Sequence, residues 1–476
     1  MDLHRGGLLE IDIVEYAFGG KGIAKIKTED GLYPIFVEHT FPGQKVLARI
    51  TVKRKRHAEA TLIRILQRSP LELTQNFQPI SGAPYIFIPI EAQKKAKQIA
   101  TIDIYRKLGG ISNAQDLFDT YVDSPICYNY RNKMEYSFSS IEHNLYTDNE
   151  MDGAFALGFK HRGTWWKVEN LNQESGLFDK DWETKLHLFR EFLKSTGLPA
   201  WHPPQKHGFF RHIVVRKSFF QDALLINLVT SSEGLHQFDA LAAGLKLKEL
   251  FGERIAGFQH TINDNIADRA KIENGTWRLV FGKEKIVEKL LGLEFEISME
   301  SFFQTNPKCA ELLYAKAMDY VFEDNDLNNQ VILDLFCGTG TIGQILSTRT
   351  SNSEIIGVDI VPEAIYDAQK NAQRNGIEKI KFFAADVGKF LKEFPNYIGK
   401  IKTIVLDPPR AGIAPKTLQK VIDLGAERIV YISCNPSTQA RDAATLLEGG
   451  YKFEKFSLVD QFPHTGHIES VALFRK

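Results

Sequence analysis

Residues 331–341 read VILDLFCGTGT, an apolar run that carries an aspartate and leads into a glycine-rich loop. Short apolar runs separated by segments of helical periodicity continue from there to the end of the chain. Regular alternation of this kind predicts a doubly wound parallel sheet. The last run follows its predecessor after a short loop, and a connection that short joins antiparallel strands. The predicted strands are Val331–Leu333, Glu354–Val358, Lys381–Ala384, Lys402–Leu406, Arg428–Ile432, Tyr451–Leu458 and Val471–Phe474.

The first 67 residues show a different pattern, in which glycine and proline break up short apolar runs. Five short strands with turns between them predict a small OB-like barrel. Residues 43–68 contain eight lysines or arginines and one glutamate, which suits either a solvated face or a surface that follows a phosphate backbone. We favour the second, with Lys53, Arg54, Lys55 and Arg56 as RNA contacts. The predicted strands are Leu8–Tyr16, Gly22–Lys27, Tyr33–Val37, Lys45–Lys53 and Glu59–Leu66.

Two stretches in the middle of the chain interleave aromatic and basic residues: YNYRNK at 128–133 and GFFRHIVVRK at 208–217. Aromatic rings stack on unpaired bases while basic groups hold phosphates, so this composition suits single-stranded RNA. Alternating aromatics in a strand also suit a buried core, and that alternative stays open. The candidate RNA contacts in these stretches are Arg131, Lys133, Arg211 and Arg216.

A chain of 476 residues is too long for a single core. The patterns predict an α/β multidomain protein: an OB-like β-barrel at 1–67, a central α+β RNA-binding domain at 68–295, and a Rossmann-like doubly wound domain with an antiparallel last strand at 296–476. A helix predicted over residues 91–108, ended by two glycines, is expected to pack on the last domain.

Composition narrows the class of protein. Hydrophobic residues make up 43% and charged residues 25% of the chain, and its net charge is zero, so RNA binding must come from local patches. No apolar run approaches the ~18 residues of a membrane span, and the start lacks a signal peptide's apolar segment. We expect a cytoplasmic monomer.

The four cysteines are scattered without a C-x-x-C pair, which argues against disulfides and a conventional zinc site, and no metal is predicted.

The glycine-rich loop indicates a nucleotide-like cofactor but does not choose between two. Asp334, Gly338 and Gly340 fit the D-x-x-x-G-x-G pattern of methyltransferases that use S-adenosylmethionine. With Gly343 the same loop also spells G-x-G-x-x-G, the dinucleotide fingerprint. Asp359 ends the second strand, where its carboxylate suits ribose hydroxyls of either cofactor.

Carboxylates and one thiol stand at the ends of the later strands. Asp386 closes the third strand, where an adenine amino group would lie, and Asp407 opens a stiff D-P-P-R turn. A related turn with an aromatic residue belongs to methyltransferases that act on base amino groups, and Arg410 in that place disfavours such chemistry. Cys434 ends the next strand and Glu469 begins the antiparallel last strand, so both should lie at one rim. Taken singly, Cys434 suits a packed core and Glu469 a solvated surface.

A cysteine and a base at one rim suit methyl transfer to C5 of uracil. That carbon is too weak a nucleophile unaided, but a thiolate that adds to C6 makes C5 enolate-like, and a base must then remove the C5 proton. The sequence predicts Cys434 as nucleophile and Glu469 as base. We expect that the pKa of Cys434 is lowered, or that its thiol loses the proton when substrate binds. The target base must leave its stack.

Together these residues resemble the RNA uracil-5-methyltransferases, which form 5-methyluridine in ribosomal or transfer RNA. The resemblance spans nearly the whole chain: residues 1–67 look like the family's TRAM domain, and FFQTN at 302–306 matches its F-x-Q-x-N segment. It implies S-adenosylmethionine as cofactor, Cys434 as nucleophile and Glu469 as proton acceptor. The predicted cofactor contacts are Gln304, Phe336, Gly338, Gly340, Thr341, Asp359, Asp386 and Asp407.

One departure concerns metal. Many ribosomal-RNA members of the family carry a cysteine cluster after the TRAM domain that holds a [4Fe–4S] centre, whereas residues 69–89 here contain no cysteine. We therefore expect no iron–sulfur cluster. The RNA is expected to be 23S rRNA, with transfer RNA as the alternative.

Two functions of other classes remain as alternatives. A nicotinamide-dependent oxidoreductase would share the glycine-rich loop and Asp359, but it gives no role to Cys434 or Glu469. A non-catalytic RNA-binding protein would use the barrel and the aromatic–basic stretches alone.

Overall fold

The computed structural model describes residues 4–17, 19–28, 31–144, 149–161, 163–265, 275–323, 330–350, 352–393, 397 and 399–476. Across these ranges the chain forms three large sheets and a separate two-stranded hairpin. None of the helices within them is long and apolar enough to cross a membrane.

The N-terminal sheet has six strands whose buried apolar residues form one core. Burial alternates along the strands because one face of each covers this core. The prediction of a single strand over residues 8–16 is wrong, because the structure has two strands there. Residues 8–12 pair with residues 45–49, and residues 15–17 pair with residues 21–23. The change of partner occurs where Ile13 N donates to Gln44 O and Val14 N donates to Ile23 O. The strands are β1 (Leu8–Asp12), β2 (Glu15–Ala17), β3 (Lys21–Thr28), β4 (Gly31–Glu38), β5 (Lys45–Lys53) and β6 (Ala58–Gln67), in the order β1-β5-β6-β4-β3-β2.

A long helix, α1 (Ile90–Lys107), follows the N-terminal sheet and precedes strand β7 (Phe118–Val122). Tyr105 near its end is fully buried, and its hydroxyl contacts Gln439 and lies 2.7 Å from Ser470 Oγ. Both partners belong to the C-terminal part of the chain, so α1 packs against that part.

The central sheet is mixed, and its middle strands are buried on both faces. Helices α2 (Lys180–Ser195) and α3 (Ala240–Phe251) cover one face, sharing a core with alternate residues of the strands. The strands are β8 (Lys133–Ser139), β9 (Glu142–His143), β10 (Glu150–Met151), β11 (Ala156–Lys160), β12 (Val168–Asn170), β13 (Phe210–Ser218), β14 (Ala223–Thr230), β15 (Ile255–Ile262) and β16 (Thr276–Gly282), in the order β10-β9-β12-β11-β8-β13-β14-β15-β16.

The hairpin of β17 (Lys285–Leu290) and β18 (Leu293–Ser298) and the helix α4 (Pro307–Val321) join the central and C-terminal sheets. A single apolar cluster contains Val214 and Leu225 of the central sheet, residues of the hairpin and α4, and Val405 of the C-terminal sheet. The proposed domain boundary after residue 295 therefore lies within a shared core, and the three-domain division stays a prediction.

The C-terminal sheet confirms the predicted doubly wound architecture. Its five strands between residues 331 and 433 are parallel to one another. The last strand, Glu469–Arg475, is antiparallel and lies between Arg428–Ser433 and Lys452–Val459. Strand β7, which the sequence did not reveal, adds to the far edge parallel to β24. The strands are β19 (Val331–Leu335), β20 (Glu354–Asp359), β21 (Ile380–Ala384), β22 (Ile401–Leu406), β23 (Arg428–Ser433), β24 (Lys452–Val459) and β25 (Glu469–Arg475), in the order β21-β20-β19-β22-β23-β25-β24-β7. The helices are α5 (Thr341–Arg349), α6 (Pro362–Arg374), α7 (Val387–Glu393), α8 (Pro415–Asp423) and α9 (Pro436–Glu448).

Candidate active site

The glycine-rich loop turns sharply between β19 and α5. Phe336 has φ of +62°, a conformation that non-glycine residues rarely adopt, and Gly338 and Gly340 have φ of +52° and +74°. Asp334 Oδ2 accepts a hydrogen bond from Gly343 N at 2.8 Å, which ties the strand to the first turn of the helix. The buried carboxylate thus holds the loop, as the sequence pattern predicts.

Asp359 supports the same loop from the neighbouring strand. Its two oxygens accept hydrogen bonds from Gly338 N and Val361 N, both at 2.9 Å. Ile360, which follows, leaves 68% of its surface exposed and offers an apolar face beside the loop. Asp386, after β21, accepts a hydrogen bond from the backbone N–H three residues on at 3.1 Å.

Four carboxylates therefore stand at the ends of four adjacent strands: Asp386, Asp359, Asp334 and Asp407. Within the described residues, none of them forms an ion pair with lysine or arginine. Burial raises the pKa of Asp407 to about 7. Burial also raises the pKa of Asp334, and the nearby charge of Asp407 raises it further. This rim is electronegative and suits a cationic ligand.

Strand register brings Cys434 and Glu469 together. The last residue pair of the antiparallel ladder between β23 and β25 joins Ser433 to Ser470. One step beyond it, Cys434 lies opposite Glu469, and side chains at such positions are neighbours. Cys434 is partly exposed at the rim, whereas Glu469 is buried between β23 and β24. The structure thus brings together the two residues predicted as nucleophile and base.

The electrostatics of the pair depart from one expectation. Burial and the neighbouring Glu469 carboxylate raise the pKa of Cys434 to about 11, so the expected lowering of this pKa is not found. Burial and Asp407 raise the pKa of Glu469 to about 8. The guanidinium of Arg410 opposes both shifts. Cys434 is therefore mainly a thiol at neutral pH, and the other expectation, that it loses its proton when substrate binds, stays a prediction.

Hydrogen bonds fix the cysteine loop to the D-P-P-R turn. Asn435 Nδ2 donates to Arg410 O at 3.0 Å, and Asn435 Oδ1 accepts from Ser437 N at 3.2 Å, which caps α9. The sequence singled out Arg410 only as a departure from another motif. A basic residue directly after Asp-Pro-Pro, one strand from the cysteine, was the signal that could have identified it as a site residue.

The FFQTN segment lies beside this rim. Gln304 is buried; its carbonyl accepts from Asn132 Nδ2 at 2.9 Å, and its side-chain oxygen lies 3.4 Å from Gln461 Nε2. Asn306 Oδ1 caps α4 by accepting from Cys309 N at 3.2 Å. Helix α4 therefore begins directly after Asn306, with Pro307 as its first residue.

A loop before Glu469, residues 460–468, connects several parts of the molecule. Lys97 of α1 forms a buried ion pair with Asp460 at 2.7 Å, and each side chain exposes only 2% of its surface. Gln93 Oε1 accepts from His464 N at 2.8 Å. Three other parts of the chain contact this 460–468 loop. The Tyr130 hydroxyl donates to Pro463 O, and Asn306 and Gln461 exchange two hydrogen bonds. The backbone of Gly20 contacts the backbone of Gly466. Sequence reasoning found neither Lys97 nor Asp460.

The predicted RNA contacts divide into two groups. Lys53, Arg54, Lys55 and Arg56 are exposed at the end of β5 and the following turn, and Arg131 and Lys133 are partly exposed.

For the other two residues, Arg211 and Arg216, the prediction is wrong. Their exposed fractions are 0% and 2%, because β13 is covered on both faces. Arg211 donates to Asn263 O, and Arg216 donates to Met299 O and Ser301 O. They stabilise the interior and do not reach phosphates.

Comparison with known proteins identifies the family. Residues 258–476 match the family model described as tRNA (Uracil-5-)-methyltransferase. An uncharacterized RNA methyltransferase of Clostridium tetani is 34% identical over 481 residues, which cover 100% of this chain and 99% of the relative. Another from Caldanaerobacter subterraneus subsp. tengcongensis is 34% identical over 475 residues, or 99% of each chain. The chain belongs to the RNA uracil-5-methyltransferase family.

A solved structure shows that this family fold extends over the whole chain. The Pyrococcus abyssi tRNA (uracil-54, C5)-methyltransferase, in complex with S-adenosyl-L-homocysteine, aligns with a TM-score of 0.69 and 23% identity, covering 98% of this chain and 100% of that one. The predicted family, fold class and enzyme class are confirmed. Because the relatives are RNA methyltransferases, the two alternative functions, a nicotinamide-dependent oxidoreductase and a non-catalytic RNA-binding protein, are not supported.

Proposed function

We propose that this protein methylates C5 of a specific uridine in RNA through a covalent adduct between Cys434 and C6, with Glu469 removing the C5 proton. The observation that carries the proposal is the register of β23 and β25, which sets a thiol and a buried carboxyl group opposite each other. At this rim the Cys434 thiol can approach C6 of a uracil ring, and the Glu469 carboxylate can approach the proton on C5 of the same ring.

The electronegative rim fits S-adenosylmethionine, which carries a positive sulfonium. Asp334 Oδ1 is buried without a hydrogen-bond partner, and no lysine or arginine neutralises the four carboxylates in the described part of the chain. We assign Gln304, Phe336, Gly338, Gly340, Thr341, Asp359, Asp386 and Asp407 as the residues that hold the cofactor. When bound, it supplies an electrophilic methyl group for C5 of uracil.

Cys434 begins the reaction as a thiol. As its sulfur bonds to C6, the thiol proton passes to water at the partly exposed rim, and the C5–C6 π electrons move toward O4, which makes C5 nucleophilic. Arg410 favours the thiolate because its positive charge lowers the pKa of Cys434. After C5 is methylated, the Glu469 carboxylate takes the C5 proton, and the C6–S bond breaks to return the cysteine.

Glu469 is suited to its step by its surroundings. A carboxyl group with a pKa of about 8 is a stronger base than an ordinary glutamate once it has lost its proton. Its burial also keeps solvent protons away from C5 while the adduct exists.

We propose 23S rRNA as the substrate, and the exposed basic turn Lys53–Arg56 between β5 and β6 supports binding of RNA in general. Transfer RNA is the alternative, and the description of the matching family model favours it. The proposed state is a monomer in the cytoplasm.

The test combines labelled methyl transfer with mapping. Purified protein is incubated with S-adenosylmethionine carrying a labelled methyl group and with 23S rRNA or transfer RNA from cells that lack the gene. We expect 5-methyluridine at a defined uridine in one of the two RNAs, and none with the Cys434→Ala variant. Label on another base, or undiminished transfer by Cys434→Ala, would contradict the proposal.

A further inference from the structure

Three potential metal ligands lie together in the central sheet, away from the rim that carries the chemistry. They are His143, His161 and Glu169, and one donor atom from each lies within 4.8 Å of the others. His161 Nδ1 is 2.6 Å from Glu169 Oε1.

The register of three neighbouring strands produces this arrangement. Strands β9, β12 and β11 are adjacent, with Val168 beside both Glu142 and Lys160. His143 therefore lies level with Glu169. His161 N donates to Lys167 O at 2.9 Å, so His161 faces a residue two positions before Glu169. Because side chains alternate between faces, the three project from one face of the sheet.

Two further observations point to a ligand. The Glu169 side chain is only 4% exposed, and its Oε2 is buried without a hydrogen-bond partner. A buried carboxylate oxygen left unpaired is costly, and a cation is one way to satisfy it. In addition, His161 and Glu169 line a cavity of about 200 Å³ that extends to Arg68, Glu72 and residues 79–88, which provides a path for an ion.

We propose that His143, His161 and Glu169 bind a Zn²⁺ ion that links the three strands. Imidazole nitrogens with one carboxylate oxygen suit zinc and disfavour magnesium or calcium, which prefer oxygen donors. Bonds of about 2.0–2.1 Å put neighbouring tetrahedral donors about 3.3 Å apart, so the 4.8 Å cluster needs only small side-chain rotations. The fourth position faces the cavity and takes water.

The cysteine-based expectation of no zinc site does not conflict with this proposal. Sequence motifs for zinc depend on close spacing, whereas these ligands are contributed by separate strands. Their convergence is visible only after the sheet has formed.

Full-length protein is saturated with ZnSO₄, dialysed against metal-free buffer and analysed for zinc by mass spectrometry. We expect one zinc per chain, a higher Tm with zinc than after chelation, and at least a tenfold weaker zinc affinity for His143→Ala, His161→Ala and Glu169→Gln. His236→Ala, which changes an exposed histidine elsewhere in the central region, should bind zinc as the unmodified protein does.

X-ray absorption at the zinc edge keeps the proposal falsifiable if a variant does not fold. The unmodified protein should show nitrogen and oxygen neighbours with the scattering pattern of two imidazoles. Sulfur neighbours, loss of all zinc on dialysis, or full binding by the three variants would overturn the site.

Discussion

Glu469 shows how burial changes the acid–base behaviour of an ordinary side chain. Strand β25 places the Glu469 carboxyl group in the interior, beside the partly exposed Cys434 thiol and near the Asp407 carboxylate. Burial and the nearby Asp407 carboxylate both disfavour the negative charge, so the pKa of Glu469 is about 8 rather than near 4.5.

Replacement of Glu469 by glutamine should separate the two halves of the reaction. Addition of Cys434 to C6 needs no base at Glu469, whereas release of the product does. The Glu469→Gln protein is therefore expected to accumulate an RNA adduct that survives denaturing gel electrophoresis. The double variant Cys434→Ala/Glu469→Gln provides the control, and an adduct in that variant would place the covalent bond elsewhere.

The pH dependence follows from the same group. Proton removal requires the Glu469 carboxylate, and its pKa of about 8 means that the reactive form declines as the pH falls. We expect the rate of product release from a preformed adduct, which separates the Glu469 step from ionisation of Cys434, to increase about tenfold per pH unit below about pH 8. RNA affinity measured at each pH is the control. A flat profile between about pH 6 and about pH 8 would show that Glu469 is not the limiting base.

Sequence reasoning predicted correctly the position of residues that lie at strand ends, while their roles stay predictions. Cys434, Asp407 and Glu469 each border an apolar run, and the ends of parallel strands meet at one edge. It failed at Arg211 and Arg216, because alternating basic and aromatic residues look alike on an exposed strand and on one covered on both faces. Only the packing of the hairpin and α4 on β13 distinguishes the two.

At the scale of elements, α1 is the support of the 460–468 loop. The buried ion pair of Lys97 with Asp460 joins residues 363 positions apart and holds the loop that leads into Glu469. Strand β7 is a similar long-range addition, since Asp119 contacts Ser457 across 338 positions. Neither could be predicted from the chain, because local periodicity carries no information about such distant partners.

Removing one member of the buried pair should be costly. Lys97→Met leaves the Asp460 carboxylate buried without its cation, and we expect a loss of about 3–5 kcal/mol in the free energy of unfolding. Adding Asp460→Asn should recover part of that loss. Denaturant titration of the single and double variants measures both effects.

The matched control lies on the same helix. Lys94 pairs with Asp123 at 2.8 Å, but this pair is much more exposed. Lys94→Met should therefore change the unfolding free energy by less than about 1 kcal/mol. Equal losses at Lys94 and Lys97 would mean that burial of the Asp460 pair is not what matters.

At the scale of the whole molecule, the charge is balanced, while four consecutive basic residues, Lys53–Arg56, lie at one turn of the N-terminal sheet. Lys55 and Arg56 are exposed there. The chain has no net charge to attract RNA, and we propose that this local cluster supplies phosphate contacts.

Loss of these contacts should be visible in the salt dependence of binding. Lys55→Ala and Arg56→Ala are each expected to weaken RNA binding and to reduce the slope of log affinity against log salt by about 0.7–0.9. Lys45→Ala, whose charge is already paired with Glu10 at 3.6 Å, should change the slope less. Unchanged slopes in the first two variants would rule out phosphate contacts at this turn.

Gly20 in the turn before β3 and Gly466 in the 460–468 loop meet backbone to backbone. A Cβ on Gly466 would lie 2.4 Å from Gly20 Cα, and Gly20 has φ of +81°, so neither position accepts a side chain without displacement. The consequence concerns modularity. The N-terminal sheet is not expected to be exchangeable between relatives as an independent module, because its turn and the 460–468 loop are in close backbone contact. A chimera that takes a foreign N-terminal sheet would have to bring the corresponding loop with it.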